Sequence, residues 1–349
     1  MQIGIDSFVE TIVGSGRSPG ELGAQRVREL LEEIELADRV GVDVYGIGEH
    51  HREEYIASSP AVLLAAAAAR THNIRLTSAV TVLSSDDPVR VFQDFATLDL
   101  ISQGRAEIIV GRGSFIESYP LFGYDTKHYD DLFAEKLDLL LALREQTRVS
   151  WEGKHRASLT GQGVWPRPLQ QRLPIRIGVG GTPQSFARAG ALGLPLTVAI
   201  IGGEPHRFRP MIDLYREAGH RAGHAPEALD VAVHAIGFLA DTAQEAADAL
   251  WPAYSTTFTR IGRERGWPPT TRTAFDAQCS EQGAFFVGDP DRIAQKMLRV
   301  SDVLGGVSRI TLMMSGGPLP HARMLHAIHL LGTNVRPSLQ QSEAPPTRL

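Results

Sequence analysis

A closed (β/α)8 barrel, an α/β fold of the TIM type, is the architecture this sequence predicts, and three observations predict it. Eight short β-branched runs recur along the 349 residues, each followed by a loop and then a stretch with helical period. Several of the helical stretches open at or near proline, whose fixed φ and missing donor cost little in a first turn. The rival, an open doubly wound sheet, would show a G-x-G-x-x-G turn after the first strand, but Phe8–Ser18 reads FVETIVGSGRS.

In chain order the strands fall at Ile3–Phe8, Asp43–Ile47, Ile74–Leu83, Ala106–Val110, Pro174–Val179, Leu194–Ile201, Asp230–Leu239 and Val307–Met314. The helices fall at Gly20–Val40, Pro60–His72, Pro88–Ser102, Tyr129–Arg144, Pro183–Leu192, Pro205–Ala222, Pro290–Leu304 and Pro320–Leu331. Strands alternating with helices mean parallel βαβ units. Two stretches stand outside the repeat, 112–173 after the fourth strand and 250–287 after the seventh. Both are expected over the C-terminal face of the barrel, as lids or pocket walls. Their aromatic residues (Phe115, Tyr119, Trp151, Trp165, Trp251, Tyr254, Trp267) read either as an apolar substrate pocket or as packing for the insertions. The chain thus divides into one barrel domain over 1–335 and a flexible tail over 336–349.

Composition narrows the function. The formal net charge is −5 and the basic residues are scattered, which disfavours nucleic acid or an anionic membrane as partner. Cys279 is the one cysteine, so an intrachain disulfide and a cysteine-rich zinc site are excluded. The opening MQIGIDSF has no basic n-region, and the longest nearly apolar stretch, Ala61–Ala69, is far short of the roughly 20 residues of a spanning helix. A soluble cytoplasmic protein is expected.

Four segments could carry chemistry. Gly48-Glu49-His50-His51 ends the second strand on the catalytic face, where an imidazole can act as acid or base. A metal reading is weak there, since neighbouring strand residues face opposite ways, and a structural turn is the alternative. Val110-Gly111-Arg112-Gly113-Ser114-Phe115 follows the fourth strand: its glycines let backbone approach a ligand while the guanidinium grips an oxyanion, or else Arg112 pairs with a carboxylate. Gly178–Pro183 turns the fifth strand into a helix with Thr182 as N-cap, offering free N–H groups to an anion, though such turns are common in α/β folds. Two phosphate-suited loops after neighbouring strands together indicate a phosphorylated ligand across the barrel mouth. Thr77–Pro88 has small residues at its entry, where a flat ring system could lie on the backbone or where they simply pack, and polar ones at its end.

These segments, in this order, resemble the bacterial luciferase-like flavin-dependent monooxygenases. The matching pieces are GIGEHH at 46–51, TSAVTVL and the run DPVRVFQDFATLDLISQGRAEIIVGRGSF ending at residue 115, YPLFGYD at 119–125, IGVGGTP at 177–183 and FVGDP at 286–290. The resemblance spans nearly the whole chain. It implies a (β/α)8 barrel using reduced FMN from a separate flavin reductase, with O2 as co-substrate and a C4a-peroxyflavin as oxidant. It implies that Arg112 binds the FMN phosphate with the Gly180–Gly181–Thr182 turn and Ser185, that Gly111 stands where the luciferase α chain has cysteine, and that a non-proline cis bond at Ser78–Ala79 lies beneath the isoalloxazine. His50 would be the active-site histidine, with no metal. Polar residues of the luciferase α chain are replaced by Gly180 and Gly181, so phosphate contacts would come mostly from backbone. Relatives using F420 share the barrel, as do inactive flavin-binding members. A homodimer is implied, packed through the helices after the second and third strands, where the run Ala65–Ala69 allows close approach.

Overall fold

The computed structural model describes residues 1–11, 16–315, 317 and 319–343. Eight parallel strands form its centre: β1 (Gln2–Ser7), β2 (Val44–Ile47), β3 (Arg75–Ser78), β4 (Ala106–Gly111), β5 (Ile175–Val179), β6 (Leu196–Ala199), β7 (Val231–Leu239) and β8 (Arg309–Met313). Each hydrogen-bonds to its neighbour in sequence order, and β8 returns to β1 through Ile3 opposite Ile310. The ring is therefore closed, and no edge is left unpaired. Strands buried on both faces explain the apolar runs, and all nine residues of β7 are buried.

The helices form where the caps foretell. Asp87 accepts from the N–H groups of Val89 and Arg90 at 2.8 and 3.3 Å and starts Pro88–Ile101. Ser18 and Glu21 make a reciprocal capping box ahead of Pro19–Arg39. Asp289 caps Pro290–Val303 through the Arg292 N–H. Helical residues such as Phe92, Phe95, Phe186 and Met297 are buried against the ring.

Four expectations are corrected. The long third strand is interrupted: Thr77 pairs with Glu107 but Thr81 with Val110, so four steps on this strand meet three on β4. The Ser78 hydroxyl bridges the gap, donating to the Ile109 carbonyl at 3.0 Å and accepting from its N–H at 3.2 Å. The stretch 250–287 is not a loop insertion, because Ala243–Arg265 is a 23-residue helix that continues through Pro252 and ends at a left-handed Gly266. In the stretch 112–173 only the first part crosses the barrel mouth. The hairpin Arg148–Trp151/Leu159–Gly163 lies along the outer flank, its tip fixed where Glu135 accepts from the backbone of Lys154 and His155. Finally, part of the expected tail, Arg336–Glu343, is helix, with Leu339 buried against the core and Arg336 paired to Asp43 at 3.1 Å. Among the described residues, no helix is long and apolar enough to cross a membrane.

Candidate functional site

The C-terminal ends of the strands enclose a cavity of about 600 Å³, within the range of small-molecule and cofactor sites. At one end the two glycine loops meet. Arg112 donates from Nη2 to Ser185 Oγ at 3.1 Å and pairs through Nη1 with Asp130. Its guanidinium lies over the Tyr129 ring, 5.0 Å from the centroid. Two tyrosines hold the loop: Tyr129 donates to the Gly113 carbonyl at 2.8 Å and Tyr119 to the Arg112 carbonyl at 3.2 Å. Arg112 is thus a half-buried partner for a carboxylate that stands beside an anion-suited turn.

At the same end, Gly180, Gly181 and Thr182 line the cavity. A Cβ at Gly180 or Gly181 would meet nothing within 4 Å, so these glycines leave bare backbone facing the space. Thr182 occupies the N-cap of Pro183–Ala191, but its side chain caps no N–H. Pro183 has no N–H and the Ser185 N–H donates to the Thr182 carbonyl at 2.9 Å, which leaves the Gln184 N–H of the first turn to an anion. Gly111 and Gly178 have a different reason: a Cβ on either would come within 2.7 and 2.8 Å of Val80. They make room for Val80 at the barrel centre.

The non-proline cis bond lies at Ala79–Val80, one bond later than expected. The Ala79 N–H still donates to the Ile47 carbonyl at 2.8 Å, so the ladder runs regularly through Ala79 and breaks after it. Ala79 and Val80 line the cavity. Ser78 does not, because its hydroxyl is committed to Ile109 and fully buried.

His50 is beside the main cavity rather than in it. It lines a smaller cavity of about 80 Å³, and Phe8, Val80 and Phe115 line both spaces. Its ring stacks on Tyr55 at 4.4 Å and takes the edges of Phe8 and Phe115 at 4.5 and 5.2 Å. Burial, then the charges of His51 and Arg52, lower its pKa to about 3. His51 is structural: Nε2 meets Glu49 Oε1 at 2.8 Å, and Glu49 Oε2 accepts from the Val82 N–H at 2.8 Å.

Asp6, Glu10, His234 and Arg265, ionisable residues of the main cavity, were not singled out by sequence. His234 Nδ1 lies 2.6 Å from Asp6 Oδ2, which the Thr311 hydroxyl also engages. Burial raises the Glu10 carboxyl to about 7, with a Ser315 hydrogen bond opposing this. The available signal was a lone ionisable residue inside an apolar strand, IGIDS and VAVHAIG. Of the expected aromatic wall, Phe115 and Trp267 line the cavity, joined by Phe8, Tyr55 and Phe258. Trp251 and Tyr254 instead pack with Phe275, and Trp165 is exposed on the flank. Metal-type side chains converge elsewhere among the described residues, at His128, Asp131 and His155 beside the hairpin tip.

The comparisons with known proteins agree with this architecture. The chain is 33% identical over 184 residues to the uncharacterized protein y4wF of Sinorhizobium fredii, a match spanning 52% of this chain and 53%, about half, of that relative. It is 27% identical over 331 residues to 4-hydroxyprotoasukamycin monooxygenase of Streptomyces nodosus subsp. asukaensis, covering 88% of this chain and 85% of that one. Among solved structures, monooxygenase RslO1 of Streptomyces bottropensis superposes with a TM-score of 0.81 at 25% identity, covering 97% of this chain and 99% of that one. The fold also matches the FMN-bound oxygenating constituent of 3,6-diketocamphane monooxygenase of Pseudomonas putida, at TM-score 0.77, 20% identity and coverage of 97% and 98%. An F420-dependent secondary alcohol dehydrogenase has a TM-score of 0.74 at 18% identity, with coverage of 97% and 98%. The family model for luciferase-like monooxygenases matches residues 5–305, and the chain belongs to that family.

Proposed function

We propose that this protein is a flavin-dependent monooxygenase that uses reduced FMN and O2 to oxidise a small organic molecule. The observation that carries this reading is the cavity end where Arg112, Ser185 and the bare Gly180–Gly181 backbone converge. A phosphate fits that donor set. It would exchange the exposed Asp130 carboxylate for a bidentate grip by Arg112 and the Gln184 N–H at the helix start. The Ala79–Val80 segment offers a flat ring system a small-residue floor, and Gly111 and Gly178 keep Val80 seated beneath it.

Bound reduced FMN would supply the two electrons that activate O2, one oxygen atom of which goes to the substrate and the other to water. This chain's residues bind, orient and exclude water. Phe8, Tyr55, Phe115, Phe258 and Trp267 make the apolar wall that shields such chemistry from solvent. His50, neutral in the adjoining cavity that Ala79 and Val80 also line, would act on the ring system from behind that floor rather than from within the main cavity. The cofactor is drawn from a separate flavin reductase in the cytoplasm. The working form is a homodimer, whose contact would cover the exposed Val62, Leu100 and Ile101 on the helices after β2 and β3.

Titration with FMN and with F420, followed by fluorescence, tests the cofactor. Saturable quenching of FMN and none of F420 is expected, and the reverse result replaces the monooxygenase reading with an F420-dependent oxidoreductase. Rapid mixing of the reduced complex with O2, followed by absorbance, tests the reaction. Reoxidation no faster than that of free reduced FMN, with no transient, would leave a flavin-binding protein without oxygenase activity.

A further inference from the structure

We infer that His234, anchored by Asp6, is the proton acceptor of the cavity, and that it takes its proton from the hydroxyl of an aromatic substrate. The inference rests on the cavity being the substrate site, as proposed above, and deepens that reading.

Asp6 on β1, His234 on β7 and Thr311 on β8 come from three adjacent strands of the ring. Asp6 Oδ2 receives both the His234 Nδ1–H, at 2.6 Å, and the Thr311 hydroxyl. The other oxygen abuts β2, where a Cβ on Gly46 would come 2.1 Å from Oδ1. Gly46 therefore exists to admit this carboxylate, which is wedged in one orientation and is 1% exposed. A carboxylate that takes Nδ1–H places the imidazole proton on Nδ1 and leaves the lone pair on Nε2. Nε2 makes no hydrogen bond among the described residues, and the ring lines the 600 Å³ cavity.

This is the arrangement of an oriented base: a nitrogen facing the ligand, with a buried acceptor behind it to stabilise the imidazolium once formed. His50 cannot act this way toward the same ligand, since its ring is enclosed by Phe8, Tyr55 and Phe115. The rest of the cavity defines what donates. Phe8 stacks on His234 at 6.1 Å with the ring planes 21° apart, and Phe258 and Trp267 also line the cavity. A flat aromatic ring suits those faces, and an O–H on it suits Nε2. The proton passes from that oxygen to Nε2, the bonding pair stays on oxygen, and His234 becomes imidazolium against Asp6. No electron leaves the substrate in this step. The resulting oxyanion makes the ring electron-rich, which favours accepting an electrophilic oxygen atom. Glu10, Tyr55, Arg112, Tyr129 and Arg265 are the other ionisable groups on the cavity wall.

The probe for this is 4-nitrophenol, coloured only when ionised, with 4-nitrotoluene as a partner of the same shape lacking the hydroxyl. Both are titrated into the protein, with and without FMN, below the pKa of free 4-nitrophenol. In the wild type the bound phenol is expected to colour while the free phenol does not. In His234→Asn, where the amide still donates to Asp6 but no base remains, the bound phenol stays colourless and binds about tenfold more weakly. The affinity of 4-nitrotoluene and the FMN quenching are unchanged. Asp6→Asn, which removes the imidazolium's counter-charge, also loses the colour and serves if His234→Asn does not fold. Colourless binding or no binding in the wild type overturns the inference. Colour retained in His234→Asn, or an equal loss of affinity for both probes, overturns it as well. Absence of FMN quenching in the wild type refutes the cofactor reading alone, because the probe is read without FMN too.

Discussion

Glu107 on β4 and Arg309 on β8 stand on opposite strands of the ring and meet across its floor. Arg309 Nη1 lies 2.6 Å from Oε1 and Nη2 3.2 Å from Oε2, and both side chains are 5% exposed. The pair spans 202 positions of sequence. It lies under the barrel, far from the mouth, so the charge pair here serves folding rather than chemistry.

Removing one partner leaves the other charge buried and alone. Glu107→Gln is expected to destabilise by about 3–5 kcal/mol, whereas Glu107→Leu with Arg309→Met costs far less. Urea midpoints at unchanged slope measure both. The acid limb follows as well. Burial pushes the Glu107 carboxyl up, but the charge and hydrogen bonds of Arg309, with Arg176 and Arg75, bring it below its ordinary 4.5. A carboxyl lowered in the folded state contributes stability above its unfolded value and loses it as pH falls through the folded one. Wild type is therefore expected to lose stability below about pH 4.5 more steeply than the Leu/Met double variant.

Arg112 and Asp130 predict opposite signs. Arg112→Ala removes charge-assisted contacts of about 1.5–3 kcal/mol, so FMN affinity should fall roughly 10- to 100-fold. Asp130 competes for the same guanidinium, but its side chain is 69% exposed. Asp130→Asn should therefore tighten FMN binding by about two- to fivefold, in line with the small worth of an exposed pair. Fluorescence titration reads both. Unchanged affinity in Arg112→Ala would leave Arg112 as a structural partner of Asp130 alone.

Much of this was legible in the sequence because it is local. Proline after a capping residue, as at Asp87-Pro88 and Asp289-Pro290, marks a helix start without knowledge of its neighbours. The loops holding Arg112 and Gly180–Gly181 announced themselves by glycine. What stayed hidden depends on distant partners. Asp6 finds His234 across 228 positions, and each alone reads as an odd polar residue in a strand. The cis bond misplaced at Ser78–Ala79 illustrates the same limit, since only the Ala79 bond to Ile47 shows how far the ladder runs. Pro252 hid a helix, because a proline inside a helical pattern reads as a break, yet Ala243–Arg265 runs on through it.

Glu10 predicts an alkaline weakness. Burial raises its carboxyl from 4.5 to about 7, against the opposing Ser315 hydrogen bond and Arg26 charge. A group raised in the folded state contributes stability fully below its unfolded value and loses it as pH climbs through the folded one. Glu10→Gln, which keeps the neutral shape, should therefore match wild type near pH 4.5 and exceed it above about 7. Chemical denaturation at both ends of that window decides it, and parallel curves would assign the charge compensation to another group.

His50 predicts an acidic weakness and a kinetic signature. Burial and the neighbouring His51 and Arg52 charges hold its pKa near 3, against an ordinary 6.5. Unfolding lets the ring take a proton that the folded protein refuses, so stability is present above 6.5 and drains away as pH falls toward 3. The slope reaches about 1.4 kcal/mol per pH unit for one such group. His50→Gln should lose less stability than wild type between those limits, at a cost in packing against Tyr55 and Phe8 that is the same at every pH. In turnover, a ring that stays neutral cannot produce a kinetic step near 6.5, so any such step in the wild type belongs elsewhere and must survive in His50→Gln. His50→Ala should slow turnover while FMN affinity stays nearly intact, because the ring is walled off from the Arg112 end of the cavity. Loss of FMN binding in that variant would move His50 from the reaction to the scaffold.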